Sequence, residues 1–257
     1  MKINRREFLK MAGASTLLGI GGGSIFELLA PGELEASRKE KPAGQRAAMV
    51  IDMSKFGADE YKRCIEACHA IHNVPEIPNP KHEVKWLWTE NFGQVFPGHA
   101  DEYMAEGLVG RPFLVLCNHC DNPPCVRVCP TKATFKREDG IVAMDYHRCI
   151  GCRFCMAACP FGARSFNWND PRPFIKEPNH KFPTRTKGVV EKCNFCLERL
   201  ADGDPPACVE KSNSALVFGD LGDSGSEVRE ILRKNYAIRR KPELGTYPSV
   251  YYIVGQG

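Results

Sequence analysis

The sequence predicts an α+β fold of tandem, cysteine-bearing half-modules built from short hairpins, short helices and long loop insertions. Three observations predict it. Thirteen cysteines in 257 residues fall into four groups with recurring short spacings. Proline follows the last cysteine of two groups, Pro130 after Cys129 and Pro160 after Cys159. Between these two groups, residues 133–136 and 141–144 flank Asp139-Gly140, the turn signal of a short hairpin.

Composition sets the class. A chain that is 43% hydrophobic and 26% charged is globular rather than disordered, collagen-like or a polytopic membrane protein. Its length suits one or two domains. Thirteen is odd, so a fully paired disulfide set within one chain is excluded. The net charge of +4 comes with no basic block long enough for nucleic acid, which is not expected as a partner.

In chain order, residues 1–36 read as an address. Arg5-Arg6 followed by Phe8, Leu9 and Lys10 precedes an uncharged stretch over 11–26 that Glu27 ends. This resembles a twin-arginine export leader, a route that carries proteins already folded, often with cofactor inserted. It predicts a periplasmic or otherwise extracytoplasmic protein that acquires metal where thiols are reduced, so export does not imply disulfides. Cleavage is plausible after Ala36; a retained leader would act as an anchor, although its uncharged stretch falls short of the ~20 residues a spanning helix needs.

Cys117, Cys120, Cys125 and Cys129 are separated by two, four and three residues; Cys149, Cys152, Cys155 and Cys159 by two, two and three. The second spacing is the bacterial ferredoxin signature, in which three thiolates on a tight loop hold one 4Fe-4S cluster and the fourth, on the helix that follows, serves the other cluster. The pairing predicts cluster one on Cys117, Cys120, Cys125 and Cys159, and cluster two on Cys149, Cys152, Cys155 and Cys129. Zinc, the competing reading, takes four tetrahedral donors and fits eight cysteines at cubane spacing poorly.

The outer two groups are incomplete in matching ways. Cys193, Cys196 and Cys208 lack a fourth member, with Ser212 at its place. Cys64 and Cys68 lack a first and second, with Ala58 and Tyr61 there. The same pairing rule gives cluster three on Cys193, Cys196, Cys208 and Cys68, while the reciprocal site keeps one thiol, Cys64. Three 4Fe-4S clusters are therefore expected, with Cys64 not a ligand but a small buried hydrophobe. Covalent haem at Cys64, Cys68 and His69 is the alternative for this patch, although no Cys-x-x-Cys-His occurs.

The remaining chain divides accordingly. Residues 37–116 form a first half-module plus an insertion around Lys85, Trp86, Trp88, Phe92 and Phe96, read as a local core or a partner-facing patch. Residues 117–168 form the central two-cluster module. Residues 169–257 hold a Pro- and Lys-rich strap over 171–183, the last cysteine group, a strand over 215–218, and a helix through Lys234 opened by a Ser224-x-x-Glu227 capping box. His119 and His147 are either satisfied loop residues or donors to cluster sulfur. Arg233, Lys234, Arg239, Arg240 and Lys241 read as a solvated basic face. No nucleophile with a base, phosphate loop or nicotinamide fingerprint is found, so no substrate-converting site is expected.

The four groups, with Val217-Phe218-Gly219-Asp220-Leu221, Ser226-Glu227-Val228, Pro242-Glu243-Leu244-Gly245-Thr246 and Tyr251-Tyr252, resemble the four-cluster electron-transfer subunits of polysulfide, nitrite and formate redox complexes. The likeness runs from about residue 50 to the end. Lys85-Trp86-Leu87-Trp88-Thr89-Glu90, Cys117-Asn118-His119-Cys120-Asp121-Asn122, Ser165-Phe166-Asn167-Trp168 and Asp170-Pro171-Arg172-Pro173-Phe174-Ile175 are similar, more narrowly, to the periplasmic ferredoxin-like subunits of the transmembrane complex associated with dissimilatory sulfite reductase. That resemblance implies docking to a polytopic quinone-interacting membrane subunit, beside a multihaem cytochrome c and further subunits of one membrane complex. A relay beside a molybdopterin oxidoreductase of polysulfide, thiosulfate, nitrite or formate type shares every cluster residue and stays open.

Overall fold

A computed structural model describes residues 44–255, so the leader over 1–36 lies outside the described residues. In chain order the strands are β1 (Ala47–Asp52), β2 (Leu87–Asn91), β3 (Pro112–Leu116), β4 (Thr134–Lys136), β5 (Val142–Met144), β6 (Ser165–Phe166), β7 (Val190–Glu191), β8 (Leu216–Asp220) and β9 (Val250–Ile253). The two helices longer than one or two turns are α1 (Ala58–Ile71) and α2 (Glu227–Lys234).

β1 is apolar from Ala47 to Ile51 and is buried on both faces, which fits its central place in a three-stranded sheet. It pairs antiparallel with β8, Val50 opposite Val217, and parallel with β9, Val50 opposite Tyr251. Strands from the two ends of the described chain thus share one sheet. α1 starts at Gly57, whose N–H donates to Glu60 Oε2 (3.0 Å), and carries Cys64 and Cys68 one turn apart on one face. β4 and β5 form the expected hairpin, and β6 pairs antiparallel with β7, which comes from beyond residue 168.

The aromatic insertion is core. Trp86 is fully buried and stacks on His72 (4.5 Å), and Phe92, Phe96 and Phe113 pack edge to face or tilted at 5.3–5.8 Å under the β2–β3 pair. The strap is pinned rather than loose: Asn73 Nδ2 donates to the carbonyl oxygens of Asn179 (3.0 Å) and Phe182 (2.6 Å).

Three details differ from expectation. The cap of α2 is Ser226, whose Oγ accepts from Arg229 N (3.4 Å), because residues 223–226 form their own turn on Asp223. The third cysteine of each central group, Cys125 or Cys155, sits on a one-turn helix, and the fourth, Cys129 or Cys159, lies just past its end. Arg240 leaves the solvated basic face altogether; it is buried, with its guanidinium 5.4 Å over the Phe161 ring.

Candidate metal centres

The Cys-x-x-Cys that opens each of the last three cysteine groups turns alike. The third residue of each, His119, Gly151 and Phe195, lies in the left-handed region, with φ of 41°, 69° and 58°. Arg153 and Cys196 extend the left-handed backbone in the last two loops. Successive turns of this kind aim backbone N–H groups into a concavity that favours anions. Side chains tolerate such angles at a cost of about 1–3 kcal/mol, which surrounding structure must hold. Gly151 has no alternative: a Cβ there would collide with Gly188 O.

Thiols of each expected set lie near one another, and neighbouring sets also lie near each other. The Cys120 thiol is pushed up to about 12 by burial and by Cys117, with Cys125 and Cys159 adding to it. Cys159 is raised by burial and by Cys117 and Cys125 in the same way. Cys129, Cys149, Cys152 and Cys155 line a single cleft with Thr131, Ala133 and Met144. Burial raises Cys68 well above its ordinary value, with Cys193, Cys208 and Cys196 as the charges facing it. Two charge interactions run between sets: Cys117 acts on Cys193, and Cys125 acts on Cys155. The first set is thus the one that neighbours both of the others.

The incomplete site is filled with committed side chains. Cys64 is fully buried and its thiol donates to Cys208 O (3.4 Å); burial pushes it up to about 11. Ser212 Oγ donates to Val209 O (2.8 Å) and accepts from Leu216 N (3.0 Å). Tyr61 OH donates to Pro112 O (2.7 Å), and its ring stacks on Phe56 (4.8 Å). For the haem alternative, the structure gives His69 another contact, between Nε2 and Leu87 O (3.1 Å).

Buried cations surround the thiols, and these escaped the sequence. Arg164 is buried with Nη2 donating to Thr134 Oγ1 (2.8 Å); burial opposes its charge, but the thiols of Cys125, Cys155 and Cys117 outweigh that and raise it. Lys192 is 1% exposed, and its ammonium donates to the carbonyl oxygens of Cys193 (2.8 Å) and Val142. Among the described residues neither cation has a carboxylate partner in an ion pair. Arg185, by contrast, pairs with fully buried Glu191 (2.6 Å). His72 lies against Glu198 (2.8 Å); burial opposes its charge, but Cys196 and Glu198 hold it up to about 9. The only sequence signal was Lys192 standing directly before Cys193. His147 is exposed, whereas His119 is buried and stacks on Phe195 at 3.7 Å, joining two cluster loops. His119 Nδ1 accepts from Val142 N (3.1 Å), which leaves the proton on Nε2, an atom without a partner.

Iron-sulfur clusters fit these residues. Thirteen free cysteines are described, none in a disulfide. Buried thiols with raised pKa are neutral at pH 7, and metal binding is what deprotonates such groups. Unpaired buried cations cost several kcal/mol unless an anion faces them, and a thiolate-bound cluster supplies that anion.

Residues 112–172 match the family described as the 4Fe-4S dicluster domain. The chain is 40% identical to Hdr-like menaquinol oxidoreductase iron-sulfur subunit 1 of Archaeoglobus fulgidus over 97% of each chain. It is 44% identical to a subunit of the selenate reductase of Mesobacillus selenatarsenatis, again over 97% of each. It is 39% identical to the menaquinone reductase iron-sulfur cluster-binding subunit of Nitratidesulfovibrio vulgaris, over 80% of this chain and 87% of the relative. Thiol sets, left-handed loops and full-length likeness agree: the chain belongs to the family of 4Fe-4S electron-transfer subunits that serve Hdr-like menaquinol oxidoreductases and related reductase complexes.

Proposed function

We propose that the chain passes electrons singly through three 4Fe-4S clusters arranged in the order three, one, two. Cysteines 117, 120, 125 and 159 hold cluster one; 149, 152, 155 and 129 hold cluster two; 193, 196, 208 and 68 hold cluster three. The observation that carries this reading is the grouping of twelve thiols into three neighbouring sets, while the thirteenth, Cys64, is hydrogen-bonded to Cys208 O. When bound, each cluster supplies one-electron exchange, and the protein sets its potential through burial, N–H groups and nearby charge. Arg164 and Lys192 hold positive charge at the junctions between sets, and the left-handed loops present the backbone N–H groups.

On the same reading the chain works outside the cytoplasm after twin-arginine export. There it would link a polytopic quinone-interacting membrane subunit to a multihaem cytochrome c in a complex tied to sulfite or sulfur reduction. The menaquinol and menaquinone names of two relatives favour a quinone-facing complex. The selenate reductase relative favours the second reading, a relay beside a molybdopterin reductase. Purification of the tagged chain from its own membranes separates them. Co-purifying haem absorption with a polytopic subunit supports the first, molybdopterin in a large soluble subunit supports the second, and a chain free of iron refutes both.

A further inference from the structure

We propose that the surface around cluster two is a docking face for an acidic redox protein that carries its own one-electron centre. This rests on the relay reading above. Cluster two has the most accessible thiols: Cys129, Cys149 and Cys152 are partly exposed, whereas all four of cluster three are buried. An electron has to leave where a partner's cofactor can come close, and among the three sets that is here.

Large apolar side chains stand in water around the same cleft. Ile150 and Phe154, on the loop and one-turn helix that bear Cys149, Cys152 and Cys155, are 66% and 59% exposed. Val128, next to Cys129, and Trp168 are exposed as well. Single exposed apolar residues are ordinary, but apolar residues grouped at one cleft mark an interaction site. The aromatic insertion over 85–96 cannot serve this purpose because it is core.

Charge selects the partner. Arg127, Lys132 and Arg153 are exposed beside these residues, and none of them takes part in an ion pair among the described residues. Arg153 is held in place, its guanidinium 4.8 Å over the Trp168 ring and 5.5 Å over Phe166. Arg148 alone is neutralised, by Asp145 (3.1 Å). An apolar centre with a cationic rim has the anatomy of a protein interface and matches an acidic rim opposite. An anionic bilayer would also meet the cations, but it brings no electron acceptor to the cleft. In the transfer itself one electron leaves the reduced cluster, which returns to its oxidised state, and the partner's oxidised centre gains it. No bond forms or breaks.

The test uses reduced holoprotein and two one-electron oxidants of opposite charge, ferricyanide and tris(phenanthroline)cobalt(III), followed by stopped-flow absorption. Ferricyanide oxidation should slow with added salt and fall at least several-fold in the Arg127→Gln/Lys132→Gln/Arg153→Gln variant, while the cobalt cation should react faster with that variant. An acidic flavodoxin, as protein probe, should lose affinity at least tenfold when Ile150→Ser and Phe154→Ser are combined. Rates and affinity unmoved by these changes, with iron content intact, overturn the docking face. Patch-dependent binding to phosphatidylglycerol vesicles without flavodoxin binding also overturns it, in favour of a lipid surface. A preparation with no cluster-two EPR signal instead refutes the underlying relay reading, so the two failures are distinguishable.

Discussion

Replacing Lys192 by methionine removes one positive charge from the protein interior while keeping nearly the same side-chain volume. The ammonium lies 2.8 Å from the carbonyl oxygen of Cys193, so its distance to a cluster held by that residue is roughly 8 Å. At an effective dielectric of about 20 the attraction for one added electron is roughly 2 kcal/mol, about 1.5 powers of ten in the reduction equilibrium. At 59 mV per tenfold for one electron, that is a fall of about 90 mV. The sign follows from charge: the reduced cluster is more negative, the cation favours it, and without the cation reduction becomes harder. Cluster three should move most, and cluster two, whose Cys155 faces Arg164, least. Two carbonyl oxygens lose their donor, costing about 1–3 kcal/mol each, so iron content and the visible circular dichroism spectrum need to match wild type. The assay is an EPR-monitored redox titration. Potentials that stay fixed or rise in a fully loaded variant would refute the electrostatic role of Lys192.

Cys68→Ser should lose about four of about twelve irons, whereas Cys64→Ser should keep them all, since a serine hydroxyl can still donate to Cys208 O; metal analysis of the two variants distinguishes them. Gly151→Ala drives a Cβ into Gly188 O and should abolish the cluster-two EPR signal while leaving cluster three in place. Arg185→Met leaves Glu191 buried without its cation and should cost about 3–5 kcal/mol, read as earlier guanidinium-induced loss of visible absorption.

What the sequence could reveal was local. Cysteine spacing, Asp139-Gly140 and the prolines after Cys129 and Cys159 are short-range signals, and the thiol sets and the β4–β5 hairpin follow from them. The pairing of β1 with β8 and β9 joins residues some 170–200 positions apart, and no local pattern encodes that register. Lys192, Arg164 and Arg240 look like ordinary surface charges until the fold closes over them. Trp86, Trp88, Phe92 and Phe96 carry no sign of whether they face inward or toward a partner, because a tightly spaced aromatic run suits both. Ser224, with Glu227 three residues on, has the capping-box pattern that Ser226, followed by Arg229, lacks, yet the Asp223 turn places the cap at Ser226.

The central claim is that three clusters, and no fourth, are bound. Iron and acid-labile sulfide per chain in anaerobically purified full-length protein test it directly. The expected result is about twelve of each, with three one-electron EPR transitions. About sixteen would mean that the site around Ala58, Tyr61, Cys64 and Ser212 is occupied after all, and about eight would break the assignment of Cys68, Cys193, Cys196 and Cys208 to a shared cluster.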